Sequence, residues 1–191
     1  GLGMNLNDGK GAFDHYFDNR DMITYEASVM GIKVQPYLAR ITDGFNSNSD
    51  AAANEFGMIL DWKREESNLR LGLMVLNRHV QGSLNGTASD IATSGAANIQ
   101  RYGLFVERNN SKDSDIRYAF ELGINSGKLG LTSTGEEIDY AGYGLAIELD
   151  YFTPWRGLKV GLKSGYASGA DASKDDSFSP FGFVRNYHVG M

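Results

Sequence analysis

The sequence predicts an all-β fold, an antiparallel up-and-down transmembrane β-barrel, from three observations. Apolar and polar residues alternate along many short segments, and short and long connections alternate between those segments. Aromatic residues also gather near the segment ends, in a chain with 24 glycines and 12% aromatic residues. A barrel strand needs an apolar residue only at every second position, so a chain that is 41% hydrophobic suffices for this architecture.

Period-two alternation is clearest from Ile116 to Ile124, where Tyr118, Phe120 and Leu122 are separated by charged or small residues. Successive side chains of a strand point to opposite faces, so this pattern predicts one apolar face and one polar face. About ten strands or partial strands are expected, each near the ~9–11 residues that suit a tilted membrane strand. Pro36 interrupts one of them, which predicts an edge or a bulge there because proline lacks an N–H. The other alternating segments are 23–29, 32–39, 55–63, 69–75, 101–107, 142–151 and 158–163.

Connections of two lengths follow one another in turn. Outer-membrane barrels have short turns at one end and longer loops at the other, so this alternation favours a barrel over a soluble sandwich. The short connections are predicted at 30–31, 64–67, 109–114 and 153–157, and the long ones at 7–20, 43–53, 81–98, 126–137 and 168–180.

The two faces of the predicted barrel can be assigned residue by residue. The expected lipid-facing set is Leu60, Leu71, Leu73, Phe120, Leu122, Leu145 and Ile147, and Trp62, Tyr151 and Trp155 are expected in an aromatic girdle at the membrane interface. The expected lumen-lining set is Glu26, Lys33, Glu55, Asp61, Arg70, Arg101, Glu107, Arg117, Glu121, Glu148, Lys159 and Lys163.

The lumen set leaves two arrangements open. Charges of both signs suit a water-filled pore, but they can equally pair across a narrow or plugged interior. Arg70, Arg78, Arg101 and Arg117 suggest a basic stripe that would favour anions. The acidic residues on neighbouring strands balance that preference, so the selectivity stays open at this point.

Composition excludes several classes of protein. The net charge of −6 argues against nucleic-acid binding, and the absence of cysteine removes disulfides and thiolate metal sites. His15, His79 and His188 lack the spacing of metal ligands, and no catalytic constellation is present, so no metal, cofactor or enzymatic activity is expected. We expect residues 1–191 to form one barrel domain, truncated at both ends.

Two passages together with the alternating strands resemble Gram-negative outer-membrane porin-like barrels, including alginate-export-type and related channels. These passages are Lys163 to Asp171 and Phe178 to Gly190. The resemblance implies a location in the bacterial outer membrane and passive or selective transport.

The expected function is therefore an outer-membrane channel that passes small hydrophilic solutes or exports a polysaccharide through a polar lumen. Its partners would be outer-membrane lipid and that solute, and its oligomeric state is left open. One alternative is a narrow or plugged barrel whose long outer loops bind a partner. The other is a soluble β-sandwich that binds carbohydrate, with its apolar residues in a dry core.

Overall fold

A computed structural model describes residues 18–43, 53–80, 95–109, 116–132, 134–155, 158–169, 177–179 and 181. Within them lie ten strands and one turn of 3-10 helix, Glu65–Ser67. No helix in this part of the chain is long and apolar enough to cross a membrane. The strands are β1 (Asp18–Thr24), β2 (Ala27–Val29), β3 (Ile32–Asp43), β4 (Ala53–Arg64), β5 (Leu69–Val80), β6 (Ala97–Arg108), β7 (Ile116–Leu131), β8 (Glu137–Phe152), β9 (Lys159–Ala167) and β10 (Ser177–Phe178).

All ten strands belong to one sheet, in which each of β3 to β8 pairs antiparallel with the next strand along the chain. β9 continues this order on β8, and β1 and β2 both pair antiparallel with β3. The predicted all-β class and antiparallel order of strands are thus confirmed. This meander arises because each alternating segment finds its partner through the next connection, which is the shortest route to a paired edge.

Pro36 explains why β1 and β2 are two strands and not one. The register of Thr24 opposite Tyr37 continues unchanged as Ala27 opposite Val34. Between them the Tyr25 N–H donates to the Pro36 carbonyl at 3.1 Å, but Pro36 has no N–H to return. The predicted edge or bulge at Pro36 is wrong, since β3 lies inside the sheet and the proline interrupts its neighbour instead.

The short turns are held by residues in the left-handed region. Met30 and Gly31, with φ of 52° and 78°, close the β2–β3 hairpin in the pattern of a type I′ turn. Asn68, with φ of 49°, ends the 3-10 turn that joins β4 to β5. Such turns match the twist of the strands they join, so both hairpins enter the sheet in register.

The predicted long loop at 126–137 is wrong. β7 continues to Leu131 and β8 begins at Glu137, so a connection of residues 132–136 joins two strands of 16 residues each. A bulge between Lys128 and Leu131, with Gly127 and Gly130 at φ of 135° and 126°, shifts the register there. The bulge breaks the apolar alternation without ending the strand.

The sheet is open in the described residues: β1 and β2 lie at one margin, β9 and β10 lie at the other, and these margins do not pair with each other. Closure into the predicted barrel is therefore not observed. β10 is also parallel to β8, with Ser177 opposite Asp139, where an up-and-down order predicts antiparallel pairing. It occupies the part of the β8 edge beyond the end of β9. Residues 182–190, the larger part of the passage that resembles porin-like barrels, lie outside the described residues.

Candidate functional site

Strand register places the predicted charged residues on one face of the sheet, called here the inner face. Directly paired residues share a face, and a continuous chain of pairs runs from Arg70 through Glu107, Ala119 and Glu148 to Lys163. Alternation along each strand adds the remaining members. The inner face carries the whole predicted lumen set: Glu26, Lys33, Glu55, Asp61, Arg70, Arg101, Glu107, Arg117, Glu121, Glu148, Lys159 and Lys163.

The opposite, outer face carries the whole predicted lipid-facing set. Leu60 pairs with Leu73, and Leu122 pairs with Leu145 on the same side of the sheet. Leu71, Phe120 and Ile147 lie on an adjacent line of pairs that passes through Val106.

Burial is inverted relative to a water-soluble sheet. On the inner face Glu55, Glu121 and Asp150 are buried, whereas Leu73 and Ile147 on the outer face are exposed. A soluble protein gains stability by the reverse arrangement, with apolar side chains inside and charges outside. The sheet thus turns its polar face inward and offers an apolar surface to its surroundings.

The apolar outer surface is a band with polar margins. On β4 it runs from Phe56 to Trp62, between Asn54 and Arg64. On β8 it runs from Tyr143 to Tyr151, eight residue steps that span ~27 Å along the strand. For strands tilted by ~40°, this corresponds to a band ~20 Å tall, close to the ~25 Å typical of barrels in outer membranes.

The band is slanted relative to the lines of paired residues. The line of paired residues that starts at Trp62, where the band ends on β4, reaches β8 at Ile147. On β8 the band continues four residues beyond Ile147, to Tyr151. At the other margin, the line from Phe56 reaches β8 at Ala141, two residues outside the limit at Tyr143. Over four strand spacings these offsets give a slant of ~20–35°. Strands tilted in a membrane produce such a slant, and barrels tilt theirs by ~35–45°.

The three predicted girdle residues lie at the end of the sheet that carries the short turns. Trp62 and Tyr151 are on the outer face near the ends of β4 and β8, and Trp155 is exposed in the turn after β8. Their role in an interface ring stays a prediction.

A concave cleft of about 560 Å³ lies on the inner face at the same end. Arg70 and Asp61 form its central ion pair, with the Arg70 Nε 2.9 Å from Asp61 Oδ1. The guanidinium also lies 5.5 Å from the Phe105 ring centre, which fixes its plane. Most of its lining residues are polar or charged: Ser28, Gly31, Lys33, Asp61, Lys63, Asn68, Arg70, Glu107 and Asn109.

Further ion pairs join neighbouring strands along the inner face. Glu55 accepts hydrogen bonds from Arg78 Nε at 3.0 Å and from the Tyr37 hydroxyl at 2.8 Å. Asp150 pairs with Arg117 on β7 and lies 3.6 Å from the Lys159 ammonium on β9. These contacts join neighbouring strands along the inner face.

Two further contacts lie at different heights of the sheet: Glu148 pairs with Lys163 at 3.2 Å, and Arg101 donates to the amide oxygen of Asn125 at 2.6 Å. The Asn125 amide in turn donates to the Tyr140 hydroxyl at 2.8 Å. The alternating segments 116–124 and 142–151 leave out Asn125 and Tyr140, so the sequence did not predict their contact.

The four arginines do not form the suggested continuous stripe. Arg70 and Arg117 lie toward the short-turn end of their strands, while Arg78 and Arg101 lie toward the other end. Glycines and apolar side chains separate the two levels. The buried cluster of Tyr37, Ala39, Met74 and Leu76, with Ile59 packed against it, lies on the inner face beside Arg78 and Arg101. The alternating pattern did not predict it.

The chain after β9 returns over the inner face. The Ser168 hydroxyl donates to the Ser179 carbonyl at 2.6 Å, and the Phe181 N–H donates to the Ser168 carbonyl at 2.9 Å. These bonds place the buried Phe181 ring against Gly144 and 5.3 Å from the Arg101 guanidinium. A Cβ on Gly144 would lie 2.4 Å from that ring, so only glycine allows this contact. The predicted loop at 168–180 gave no sign of this inward turn.

Lys128 lies beyond the apolar band on the β7–β8 hairpin. Its ammonium is 2.5 Å from Asp139 and 3.1 Å from Glu137, and these hydrogen bonds raise the pKa of Lys128 above its ordinary value of 10.5. This pair belongs to the water-exposed end of the sheet, where charged side chains are solvated.

In the described part of the chain, no group of three or more histidine, aspartate or glutamate residues is placed to hold a metal ion. His79 is on β5, and His15 and His188 lie outside the described residues. Comparison with protein-family models, with curated proteins and with solved structures gave no match.

Proposed function

We propose that this chain forms the wall of a β-barrel in a bacterial outer membrane, and that its inner face lines a pore for small hydrophilic solutes. The observation that carries this proposal is the inverted sheet: an exposed apolar band such as Leu73, Leu104 and Ile147 backs onto buried carboxylates such as Glu121. Lipid stabilises such an outer surface, and water in a lumen solvates such an inner one.

Two further features support the membrane location. The slant of the band matches strands that cross a bilayer at an angle, and the tryptophans lie at one margin of it. A soluble carbohydrate-binding sandwich has less support. It would need a second sheet over the apolar face, and within the described residues all strands belong to one sheet.

The narrow or plugged barrel is the second candidate because apolar side chains pack together on the inner face. Met74, Leu76 and Tyr37 pack together there, and Phe181 covers Gly144. β1 and β2 share one position beside β3, so the antiparallel strands β1 to β9 fill eight adjacent positions. Eight strands alone enclose an interior that side chains can fill, so further strands must contribute if the lumen is wide.

Single-channel conductance separates these candidates. The full chain would be folded into lipid vesicles, fused to a planar bilayer and measured under symmetric salt. Discrete, stable openings support the pore. Silence from protein that is folded and inserted, as judged by protease protection and circular dichroism, would favour the plugged barrel.

A cysteine pair on one strand provides the matched control, since the chain has no cysteine of its own. Lys163→Cys lies on the inner face of β9 and Leu162→Cys on its outer face. A charged, membrane-impermeant thiol reagent should label only the inner position and reduce the conductance of that variant alone. Equal labelling of both positions in vesicles would contradict the assignment of faces.

A further inference from the structure

The two partners of an ion pair on the inner face differ in exposure. The acidic side chain is the more buried and lies nearer the sheet, called here the wall, and the basic side chain is the more exposed and lies nearer the proposed lumen. The exposed fraction of the side chain is 0% for Glu55 against 26% for Arg78, and 4% for Asp150 against 35% for Arg117. It is 22% for Glu148 against 40% for its partner Lys163.

The same order holds for the pair at the cleft and for the third partner of Asp150. Asp61 is 21% exposed against 40% for Arg70, and Lys159, beside the nearly buried Asp150, is 48% exposed. These residues come from β4, β5, β7, β8 and β9, so the asymmetry extends across most of the sheet.

Side-chain length explains the asymmetry. An aspartate or glutamate carboxylate stays close to the backbone, whereas lysine and arginine extend their stems over it and present the charged group beyond it. Two pairs near the short turns do not follow the rule: Glu26 is 53% exposed against 42% for Lys33, and Glu65 is 78% exposed against 55% for Lys63. The asymmetry therefore belongs to the pairs that join neighbouring strands between β4 and β9.

We infer that the inner face presents a cationic surface to a solute and that the pore prefers small anions over cations. The inference rests on the proposed pore and names its solute class. It runs against the formal charge of the whole chain, −6, because the charges nearest the solute, and not the total, set the local potential. Buried carboxylates weaken this potential, but they lie farther from the path of the solute than the groups they pair with.

The test is the reversal potential of the single channel under a gradient of potassium chloride. An anion-preferring pore gives a reversal potential with the sign of the chloride equilibrium potential. A reversal potential with the opposite sign, from a channel that does conduct, would overturn the anion preference and leave the pore intact. Absence of conductance from folded, inserted protein would overturn the pore and the preference together.

Paired variants identify the responsible side chains. The double variant Lys159→Gln, Lys163→Gln removes two exposed ammonium groups of β9 from the inner face, and its reversal potential should shift toward the potassium equilibrium potential. Lys128→Gln removes one ammonium group on the hairpin beyond the band and should leave the reversal potential close to that of the unchanged chain. A shift for Lys128→Gln of about half that of the double variant would show that total charge, and not the inner face, sets the selectivity. Circular dichroism and the presence of conductance report that each variant folds.

Discussion

Several single residues of this sheet occupy strained or crowded positions. Met30 is the clearest example, because it has φ of 52° in a two-residue turn and its side chain is 97% exposed. A non-glycine residue in this region costs about 1–2 kcal/mol, and a methionine with no contacts recovers none of that cost. Its position is therefore set by the hairpin and not by its side chain.

Met30→Asn should raise the free energy of unfolding by about 0.5–1 kcal/mol, because asparagine tolerates the left-handed conformation of a type I′ turn. Urea unfolding of the protein in lipid vesicles, followed by the fluorescence of Trp62 and Trp155, measures the change. Met30→Val at the same position should lower the stability, because a branched Cβ clashes there. Stabilisation by both variants would contradict the turn geometry.

Gly144 tests the contact between the inner face and the returning chain. Gly144→Ala should cost about 1–3 kcal/mol, because the added Cβ lies 2.4 Å from the Phe181 ring and must displace it. Phe181→Ala in the same chain should remove most of that cost. Unfolding free energies of both single variants and the double variant measure the coupling, and additive effects would show that the ring does not occupy this position.

Whole strands show how alternation becomes two faces. A line of pairs through Leu60, Leu73, Leu104 and Leu122 forms an unbroken apolar row on the outer face. One residue along each strand lies the inner face, where the adjacent line of pairs is Asp61, Gly72, Phe105 and Glu121. Because a shift of one residue would exchange the faces, every hairpin in the series stabilises the register of the next.

Leu73→Arg should therefore lower the free energy of unfolding in lipid by about 2–4 kcal/mol, the cost of a charge facing the middle of a bilayer. Ser28→Arg is the matched control, because Ser28 lines the polar cleft on the inner face and water can solvate the new charge. Equal costs for both variants, measured by urea unfolding in vesicles, would contradict the two faces. A substitution of Arg117 on the inner face would be a poor control for Leu73→Arg, because it leaves the buried carboxylate of Asp150 with one cation fewer.

In the hairpin of β7 and β8, apolar and polar residues cease to alternate before the strands end. The apolar residues on the outer face end at Ile124, and Ser126, Gly127 and Lys128 resemble a loop by composition. The backbone continues as a strand because its hydrogen bonds to β6 and β8 persist beyond the apolar band. The ladder of hydrogen bonds is independent of side-chain polarity, so a water-exposed strand end carries no alternating signal.

At the scale of the molecule, the sheet places its apolar surface outward over most of its width. Soluble monomers rarely expose a continuous apolar surface of this kind. The proposed membrane location therefore predicts that the fold depends on a nonpolar phase around it.

Circular dichroism of the refolded chain tests this dependence. We expect a β-sheet spectrum and a monodisperse particle in detergent or lipid vesicles, and aggregation in buffer without them. As a control for adsorption of the chain to lipid, vesicles of the same lipid are added only after the chain has been refolded in buffer. A monodisperse, folded protein in buffer alone would favour the soluble sandwich over the barrel.

Alternation along the sequence determined the all-β class, the antiparallel order of strands and the face of each predicted lumen and lipid residue, because period two is a property of the strand itself. Connection lengths predicted most strand limits, but longer strands replace the predicted loop at 126–137, β10 lies within the predicted loop at 168–180, and β1 begins within the one at 7–20. Tertiary structure alone decided which charges pair, that the acids lie nearer the wall than the bases, and that Phe181 turns back onto Gly144. Those features depend on distances between residues far apart in the chain, which pairing across strands sets and local sequence does not encode.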